Sequence, residues 1–122
     1  MGPVSLLNNT IEKPNTVPRI FFKIHRRAKN EILAICDENI LDKILFNEKS
    51  SMRVPSKFYK GKEISAFEAL QLMKNYNNIN IIGSVINLGL EKNLISEDAV
   101  IWFSTKDGDK VPHLLIFSMP YL

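Results

Sequence analysis

Apolar and polar residues alternate with a period of two where the regular part of the chain begins. From Ile20 to Ile24 every second residue is isoleucine or phenylalanine, and this alternation predicts a half-buried strand over Arg19 to His25. A polar stretch, residues 26–30, is followed by a second apolar run from Glu31 to Cys36. The two runs predict an antiparallel hairpin whose basic tip lies in solvent.

The middle of the chain predicts two helices with a short strand between them. Asp37 is a residue type that caps helix N-termini, and the apolar residues that follow it supply a buried stripe for a short helix. Ser51 to Pro55 predicts a strand that its proline restricts to the edge or the end of a sheet. Ser65 and Glu68 have the spacing of a capping box, which predicts a helix over Ala66 to Asn75.

The run that begins at Asn78 fits two kinds of secondary structure. Its first five residues, Asn78 to Ile82, suit a strand, but apolar residues continue at helical spacing for three turns. The sequence therefore predicts a helix over Asn80 to Lys92. Asn93 suits the left-handed residue that ends such a helix, and Leu94 is then expected to fold back onto its last turn.

Two strand-like runs near the end of the chain complete the predicted fold. Val100 to Ser104 and Val111 to Phe117 are joined by a segment whose Asp107-Gly108 pair is typical of a hairpin turn. Strands and helices alternate in no regular order, which predicts an α+β fold with a mixed or antiparallel sheet and helices on one face. This single domain spans residues 19–122, after a flexible N-terminal arm over residues 1–18.

Composition places the chain among ordinary globular domains. It has 122 residues, 45% hydrophobic and 24% charged, and is long enough to bury a core without metal or disulfide support. Cys36 is the single cysteine and cannot form an internal disulfide, which suits a reducing compartment. No apolar run approaches the ~18 residues that span a bilayer, and no secretory signal is visible. We therefore predict a cytoplasmic protein without membrane contact.

The net charge of +3 hides a strong segregation of charge along the chain. Two stretches, Arg19 to Lys29 and Lys49 to Lys62, hold five cations each and no acid, while the rest of the chain is net acidic. Segregated cations create a local field that attracts a polyanion. The cations are Arg19, Lys23, Arg26, Arg27, Lys29, Lys49, Arg53, Lys57, Lys60 and Lys62.

Aromatic residues interleave with these cations, as they do in proteins that bind single-stranded RNA. Phe21 and Phe22 lie in the first basic stretch, and Phe58 and Tyr59 lie in the second. Strand alternation turns Phe22 toward the core, which leaves Phe21 and Tyr59 outside to stack on bases. The predicted nucleic-acid-binding set is therefore the ten cations together with Tyr59.

Four groups of short segments, taken in order, carry a resemblance to a known family. They are Phe22-Lys23-Ile24 with Ile32 to Asp37, Phe58 to Gly61 with Glu68 to Leu70, Asn80 to Gly83 with Gly89-Leu90 and Leu94-Ile95, and Val111 to His113. From Pro18 to about Ile116 the chain resembles a family of small archaeal proteins, domain of unknown function family 424. The resemblance implies an archaeal cytoplasmic protein of shared α+β fold, associated with translation components. It implies no catalytic residues.

The chain departs from this family at two places. The family usually has glycine where Asp42 stands before Lys43. It also usually has a tighter, glycine-rich link and a polar residue around its Val-Pro-His segment, where this chain has a longer turn, Lys106 to Lys110, and Leu114. A role tied to that end of the family is therefore not implied for this chain.

Three positions carry reactive groups but no complete motif. Histidine side chains have an unperturbed pKa near neutrality, and we expect His113 to hydrogen-bond a backbone group or a helix end. Cys36 is expected to be a buried structural thiol, because the apolar strand before it and the neighbouring acids, Asp37 and Glu38, disfavour a thiolate. Ile81 to Ser84 places a glycine and a hydroxyl in a first helical turn that suits a phosphate. The phosphate-loop lysine is absent, and close helix packing explains the glycine equally well. We predict no catalytic residue, metal or cofactor.

These patterns support three functional hypotheses. The leading one is a non-enzymatic RNA-associated protein that binds a ribosomal subunit or another translation particle through phosphate contacts. The second is a protein-interaction module or homodimer that pairs exposed sheet edges, with the apolar C-terminal run Leu114 to Phe117 as a possible contact. The third is a small enzyme that uses His113 with Asp37 or Cys36.

Overall fold

The structure, a computed structural model, describes residues 17–117. The predicted N-terminal arm, residues 1–18, lies outside the described residues except for Val17 and Pro18. The strands are β1 (Ile20–Arg27), β2 (Asn30–Asp37), β3 (Ile44–Phe46), β4 (Ser51–Arg53), β5 (Lys62–Ile64), β6 (Ile79–Ile82), β7 (Val100–Ser104) and β8 (Lys110–Ile116). The helices are α1 (Ser56–Tyr59), α2 (Ala66–Met73) and α3 (Ser84–Glu91), with 3-10 helices at Glu38–Ile40 and Glu97–Ala99.

One mixed sheet organises the described residues. The strand order is β4-β3-β7-β8-β6-β2-β1-β5, and neighbouring strands are antiparallel except β2 and β6, which are parallel. α2 and α3 pack together on one face, where α3 lies on β2, β6 and β8. The predicted α+β fold with a mixed sheet is confirmed, and the four-residue α1 lies on the opposite face. Among the described residues, no helix has the length and apolar character needed to span a membrane.

The two predicted hairpins are confirmed. β1 pairs with β2 along its whole length, and Ala28, at φ +55, makes the turn with Lys29. β7 pairs with β8 across a longer turn in which Gly108 adopts φ +92. The strand predicted near Pro55 is also present as β4, at one edge of the sheet. Short local patterns with a turn residue between them are thus realised in the fold.

The prediction of a single helix over Asn80 to Lys92 is wrong. Residues Ile79–Ile82 form β6, and α3 begins only at Ser84. β6 lies between β2 and β8, so its side chains meet packed structure on both faces and its sequence is almost uniformly apolar. Gly83, at φ +116, turns the chain between strand and helix. The apolar residues of this buried strand and those of the helix after it together have the spacing of a three-turn helix, which explains the wrong prediction.

The two faces of the sheet contribute to two separate hydrophobic clusters. The helix-side cluster includes Leu33, Ile35, Leu70, Ile81 and Ile86. The α1-side cluster includes Ala34, Cys36, Leu45, Tyr59 and Ile82. Consecutive residues of β2 point alternately into the two clusters, so both faces of this central strand are buried.

The capping box predicted for α2 is confirmed. Ser65 Oγ accepts a hydrogen bond from the Glu68 N–H at 3.1 Å, and Glu68 Oε1 accepts one from the Ser65 N–H at 3.2 Å. The helix ends at Met73, two residues before the predicted end at Asn75. The short helix predicted after β2 is a single 3-10 turn, and part of its predicted apolar stripe belongs to β3 instead.

The predicted exit from α3 is confirmed for the backbone but not for the side chain that closes it. Asn93 is left-handed, at φ +60, and the Leu94 N–H donates to the Gly89 carbonyl oxygen at 2.8 Å. The Leu94 side chain is 56% exposed, however, and Ile95 packs against Gly89 in its place. The side chain that packs on the last turn of α3 is therefore one residue later in the sequence than predicted.

Candidate nucleic-acid interface

Two segments that are distant in sequence bring cations together on one face of the sheet. α1 packs against β1 and β2 on the face opposite α2 and α3. Because side chains of a strand alternate, Lys23 and Arg27 point to the side of β1 that α1 occupies. Lys23 Nζ donates a hydrogen bond to the carbonyl oxygen of Lys57 at 2.8 Å. We call Lys23, Arg27, Lys57 and Lys60 the basic surface.

Local packing explains why α1 lies beside β1. His25 Nε2 donates to the carbonyl oxygen of Phe58 at 2.7 Å, and the two rings stack with their centroids 4.4 Å apart and their planes 11° apart. Gly61 then allows the chain to approach β1, because a Cβ atom there would collide with the carbonyl oxygen of Phe22. These contacts hold α1 and the residues after it against β1, and so fix the relative positions of the two segments that supply the basic surface.

Three of the ten predicted cations are already paired with acids. The pairs are Arg19 with Glu38 and Glu63 (3.7 and 3.6 Å), Arg26 with Glu31 (2.6 Å), and Arg53 with Asp42 (4.0 Å). All of these side chains are well exposed, so the pairs contribute little to stability. They do offset part of the positive charge that a phosphate would meet.

The other seven predicted cations form no ion pair within residues 17–117. They are Lys23, Arg27, Lys29, Lys49, Lys57, Lys60 and Lys62. Four of them form the basic surface, and Lys29 lies next to it in the hairpin turn. Lys62 faces Phe22 across the β1–β5 pair, so its side chain points to the helix side of the sheet. Lys49 lies between β3 and β4, at the other end of the strand order.

The prediction that Phe21 and Tyr59 are available to stack on bases is wrong. Phe21 is 5% exposed and Tyr59 is 2% exposed. α1 directs Tyr59 into the α1-side cluster, where its hydroxyl donates to Asn80 Oδ1 at 2.7 Å, and burial raises the pKa of this hydroxyl. Of the predicted binding set, only cations remain on the surface.

Two exposed aromatic side chains outside the predicted set lie on the paired strands β3 and β7; Phe67 and Phe117 are exposed elsewhere. Phe46 on β3 is 44% exposed and Trp102 on β7 is 37% exposed. Strand alternation places Trp102 on the same side as the buried residue Val100, so its local pattern resembles that of a core residue. The exposure depends on the position of β7 in the sheet, which no local sequence signal reveals.

The N-terminus of α3, a candidate phosphate site in the sequence, holds a carboxylate of the chain itself. Asp37 accepts hydrogen bonds from the Ser84 N–H and from the Ser84 hydroxyl, both at 2.8 Å. The prediction that Asp37 caps the short helix directly after it is wrong, because its side chain makes no capping bond there. A Cβ atom on Gly83 would lie only 2.6–3.0 Å from the Asp37 carboxyl group. The glycine therefore allows this contact, and the Ser84 donors are already used.

The Asp37 carboxyl group is buried, and its pKa reflects two opposing effects. Burial raises the pKa above its ordinary value of 3.8, because a charged carboxylate loses its hydration. The hydrogen bonds from Ser84 favour the charged form and partly oppose this rise. The result is a carboxyl group with a raised pKa at the junction of β2, β6 and α3.

The two remaining reactive residues take part in internal hydrogen bonds. Cys36 is buried, as predicted, and its Sγ donates to the Asp37 carbonyl oxygen at 3.3 Å. Burial raises the pKa of the Cys36 thiol, and the charge of Asp37 raises it further. His113 Nε2 donates to Asn80 Oδ1 at 3.0 Å, not to a backbone group or helix end as predicted, and burial lowers its pKa. In the part of the chain described here, no three His, Cys, Asp or Glu side chains group as a metal site.

These features define an α+β domain built on one mixed eight-stranded sheet. The family described as "Protein of unknown function (DUF424)" matches residues 25–119, and the chain belongs to this family, as its resemblance predicted. A crystal structure of an uncharacterized conserved protein from Methanopyrus kandleri is similar, with 24% sequence identity and a TM-score of 0.56. The alignment covers 85% of this chain and 97% of that one, which shows a shared fold. No match was found among curated proteins.

One predicted departure from the family lies at a turn. At Asp42, where the resemblance implied a glycine, the backbone is left-handed, at φ +65. Glycine adopts this conformation freely, and aspartate is one of the few other residues that tolerate it. The Asp42 carboxylate also accepts hydrogen bonds from the N–H and the hydroxyl of Ser56, which lower its pKa. Aspartate is thus compatible with this turn and contacts the start of α1.

Proposed function

We propose that this protein is a non-enzymatic RNA-associated protein that contacts a ribosomal subunit or another translation particle through phosphates. The observation that carries the proposal is the basic surface. Its cations come from two separate segments, meet on one face of the sheet and form no ion pair within residues 17–117. A polyanion is the ligand class that such a surface attracts.

The arrangement of the lysines suits phosphate contacts. An ammonium group has three donors, and Lys23 uses one of them to hold the Lys57 carbonyl oxygen. Its other donors, together with Lys57 and Lys60, which are exposed, are available to phosphate oxygens. Lysine contacts phosphate as a point charge, so this surface favours a charged backbone over a particular base sequence.

Co-sedimentation with ribosomal subunits across a salt series tests this proposal. Phosphate contacts release counterions, so the logarithm of the affinity should fall linearly with the logarithm of the salt concentration. The double variant Lys57→Ala, Lys60→Ala should lower the slope by about 1.4 if both lysines contact single-stranded phosphates, at about 0.7 per contact. The matched control is Lys74→Ala, Lys92→Ala, which removes the same charge from the ends of α2 and α3.

Two outcomes would contradict the proposal. One is the absence of binding to subunits or RNA at low salt, and the other is binding without a salt slope. An equal loss of slope in the control variant would assign the effect to net charge and not to the basic surface. Thermal melts of both variants establish that folding is intact, since substitutions of exposed residues typically change stability by within about 0.5 kcal/mol.

A protein-interaction module is the second candidate, because exposed apolar residues end the described chain. Leu115, Ile116 and Phe117 are all partly exposed. β8 lies inside the sheet, however, so it offers a face and not an unpaired edge. The actual edges, β4 and β5, are three residues long and carry cations, features that discourage pairing between sheets. A mass measurement in solution tests this candidate, and a monomer at micromolar concentration would contradict a homodimer.

A further inference from the structure

The helix side of the sheet has a part that retains exposed aromatic surface. α3 lies on β2, β6 and β8, whereas Phe46 on β3 and Trp102 on β7 keep 44% and 37% of their surfaces exposed. Directly paired residues share a face of a sheet, and so do residues two apart in one strand. Phe46 pairs with Ser104, two residues from Trp102, so the two rings are diagonal neighbours on one face.

Cations border these two rings. Ser104 pairs with Phe46 on one side and with Lys110 on the other, which places Lys110 on the same face. Phe46, Trp102 and Lys110 line an open concavity of about 500 Å³, together with Lys49 from the β3–β4 turn. Neither lysine forms an ion pair within residues 17–117. One acid, Glu48, also lines the concavity, so its net charge is positive.

We propose that Phe46, Trp102, Lys49 and Lys110 form a stacking surface for the bases of single-stranded RNA. The proposal rests on the proposed function and adds a second, separate contact to it. Aromatic faces that stack on bases, beside cations that meet the phosphates between them, are the two components of sequence-tolerant single-strand sites. The basic surface supplies only the second component, because its aromatic residues are buried or stacked internally.

A protein partner fits this surface less well. Lysine is depleted in protein interfaces, and two lysines border this concavity. The phosphate of a nucleotide complements the net positive charge of the concavity, and its base can stack on the exposed rings.

The fluorescence of Trp102 provides a direct test, because it is the single tryptophan of the chain. Titration of the full chain with a single-stranded oligoadenylate of about ten nucleotides should quench this fluorescence to saturation, since a base would stack on the indole. Duplex RNA of the same length hides its base faces, and inorganic polyphosphate has none, so neither should produce the same quench. Equal quenching by polyphosphate, or no quenching by oligoadenylate, would overturn the proposal. A fluorescence change with protein concentration alone would indicate self-association and also overturn it.

Phe46→Ala tests the second aromatic ring while the reporter stays in place. Loss of one stacking partner should weaken oligoadenylate binding by about fivefold or more. Phe67→Ala is the matched control, because Phe67 is an exposed phenylalanine on α2, away from the concavity, and it should leave the affinity unchanged. If Phe46→Ala fails to fold in a thermal melt, Lys110→Ala replaces it and should lower the salt slope of oligoadenylate binding by about 0.7. An unchanged affinity in folded Phe46→Ala, or an unchanged slope in Lys110→Ala, would contradict the proposal.

The stacking surface and the basic surface lie on opposite faces, so their failures are distinguishable. Lys57→Ala, Lys60→Ala should reduce the salt slope of subunit binding and leave the Trp102 quench intact. Salt-dependent binding to subunits without any quench would keep the proposed function and overturn the stacking surface. A quench by oligoadenylate without salt-dependent subunit binding would keep the stacking surface and contradict the proposed contact between the basic surface and a ribosomal subunit.

Discussion

The N-terminus of α3 and the basic surface both present donors for an anion, but only one of them is already occupied by the chain. At the N-terminus of α3, the Asp37 carboxylate accepts two hydrogen bonds from Ser84. On the basic surface, Lys57 and Lys60 are exposed and form no ion pair within residues 17–117. The first place is therefore a contact that holds the fold together, and the second is open to a ligand from outside.

This difference shows where a local motif stops being informative. Asp37 and Ser84 are 47 positions apart, and the parallel pairing of β2 with β6 brings them together just beyond the pair Cys36 and Ile82. A carboxylate that the fold positions binds a helix N-terminus without the loss of translational freedom that a free phosphate would undergo. Glycine and serine at a helix start therefore indicate hydrogen-bond donors for an anion. Which anion binds them, a carboxylate of the chain or a free ligand, depends on the tertiary fold.

The largest expected effect on stability comes from a substitution that places an atom where the Asp37 carboxyl group lies. Gly83→Ala places a Cβ atom in collision with the Asp37 carboxyl group, at a backbone φ of +116 that alanine rarely adopts. We expect a loss of about 3 kcal/mol or more in the free energy of unfolding, measured by chemical denaturation. Gly108→Ala is the control, because Gly108 has φ +92 but open space around its Cβ position, and it should cost about 1 kcal/mol. Equal losses in the two variants would show that the Asp37 contact does not determine the effect.

The next largest effect on stability comes from removing the carboxylate that accepts hydrogen bonds at the N-terminus of α3. Asp37→Ala leaves the Ser84 N–H and hydroxyl without their acceptor, and we expect a loss of about 1–3 kcal/mol in stability. Inorganic phosphate should then raise the melting temperature of this variant more than that of the unmodified protein, because the donors have become available. An identical response of the two proteins to phosphate would indicate that this helix end does not bind anions.

A smaller effect follows from the raised pKa of Asp37. Between its ordinary value of 3.8 and the raised value in the folded protein, the folded state binds more protons than the unfolded state. Stability contributed by this group is therefore fully present below about pH 3.8 and is lost as the pH rises through the folded pKa. The difference in stability between the unmodified protein and Asp37→Asn, measured across this range, should change in that direction. A difference that is constant with pH would contradict the raised pKa.

The smallest expected effect is a difference in the salt dependence of RNA binding between variants of two neighbouring arginines, one paired with an acid and one unpaired. Arg26 is paired with Glu31, whereas Arg27 belongs to the basic surface. Arg27→Ala should lower the salt slope of RNA binding by about 0.7, and Arg26→Ala should lower it less. Both should change stability by within about 0.5 kcal/mol, because both side chains lie at the exposed hairpin tip. Equal slopes in the two variants would show that pairing with Glu31 does not affect the availability of Arg26.

Features that depend on a few adjacent residues could be predicted from the sequence. The β1–β2 hairpin, the Ser65–Glu68 capping box and the left-handed exit at Asn93 all follow from short patterns with one physical cause each. β6 could not be distinguished from a helix, because a strand buried on both faces has no alternation to mark it.

Features of the candidate site that depend on distant packing could not be predicted. The cations of the basic surface were identified as a set, but only the position of α1 shows that Lys57 and Lys23 meet. The same packing buries Tyr59, which the sequence suggested as a stacking residue. Trp102 is exposed because of the place of its strand in the sheet, which is a property of the whole topology.

The parallel pairing of β2 with β6 also constrains the order in which the chain folds. Leu33 pairs with Ile79, 46 positions later, whereas the β1–β2 hairpin closes through a two-residue turn. Closing a long loop has a larger entropic cost than closing a short one, so we expect the hairpin to form before the central pair. The contact between Asp37 and Ser84 lies beyond that pair, so we expect it to form late. Its loss in Asp37→Ala should therefore accelerate unfolding in stopped-flow experiments and leave the refolding rate almost unchanged.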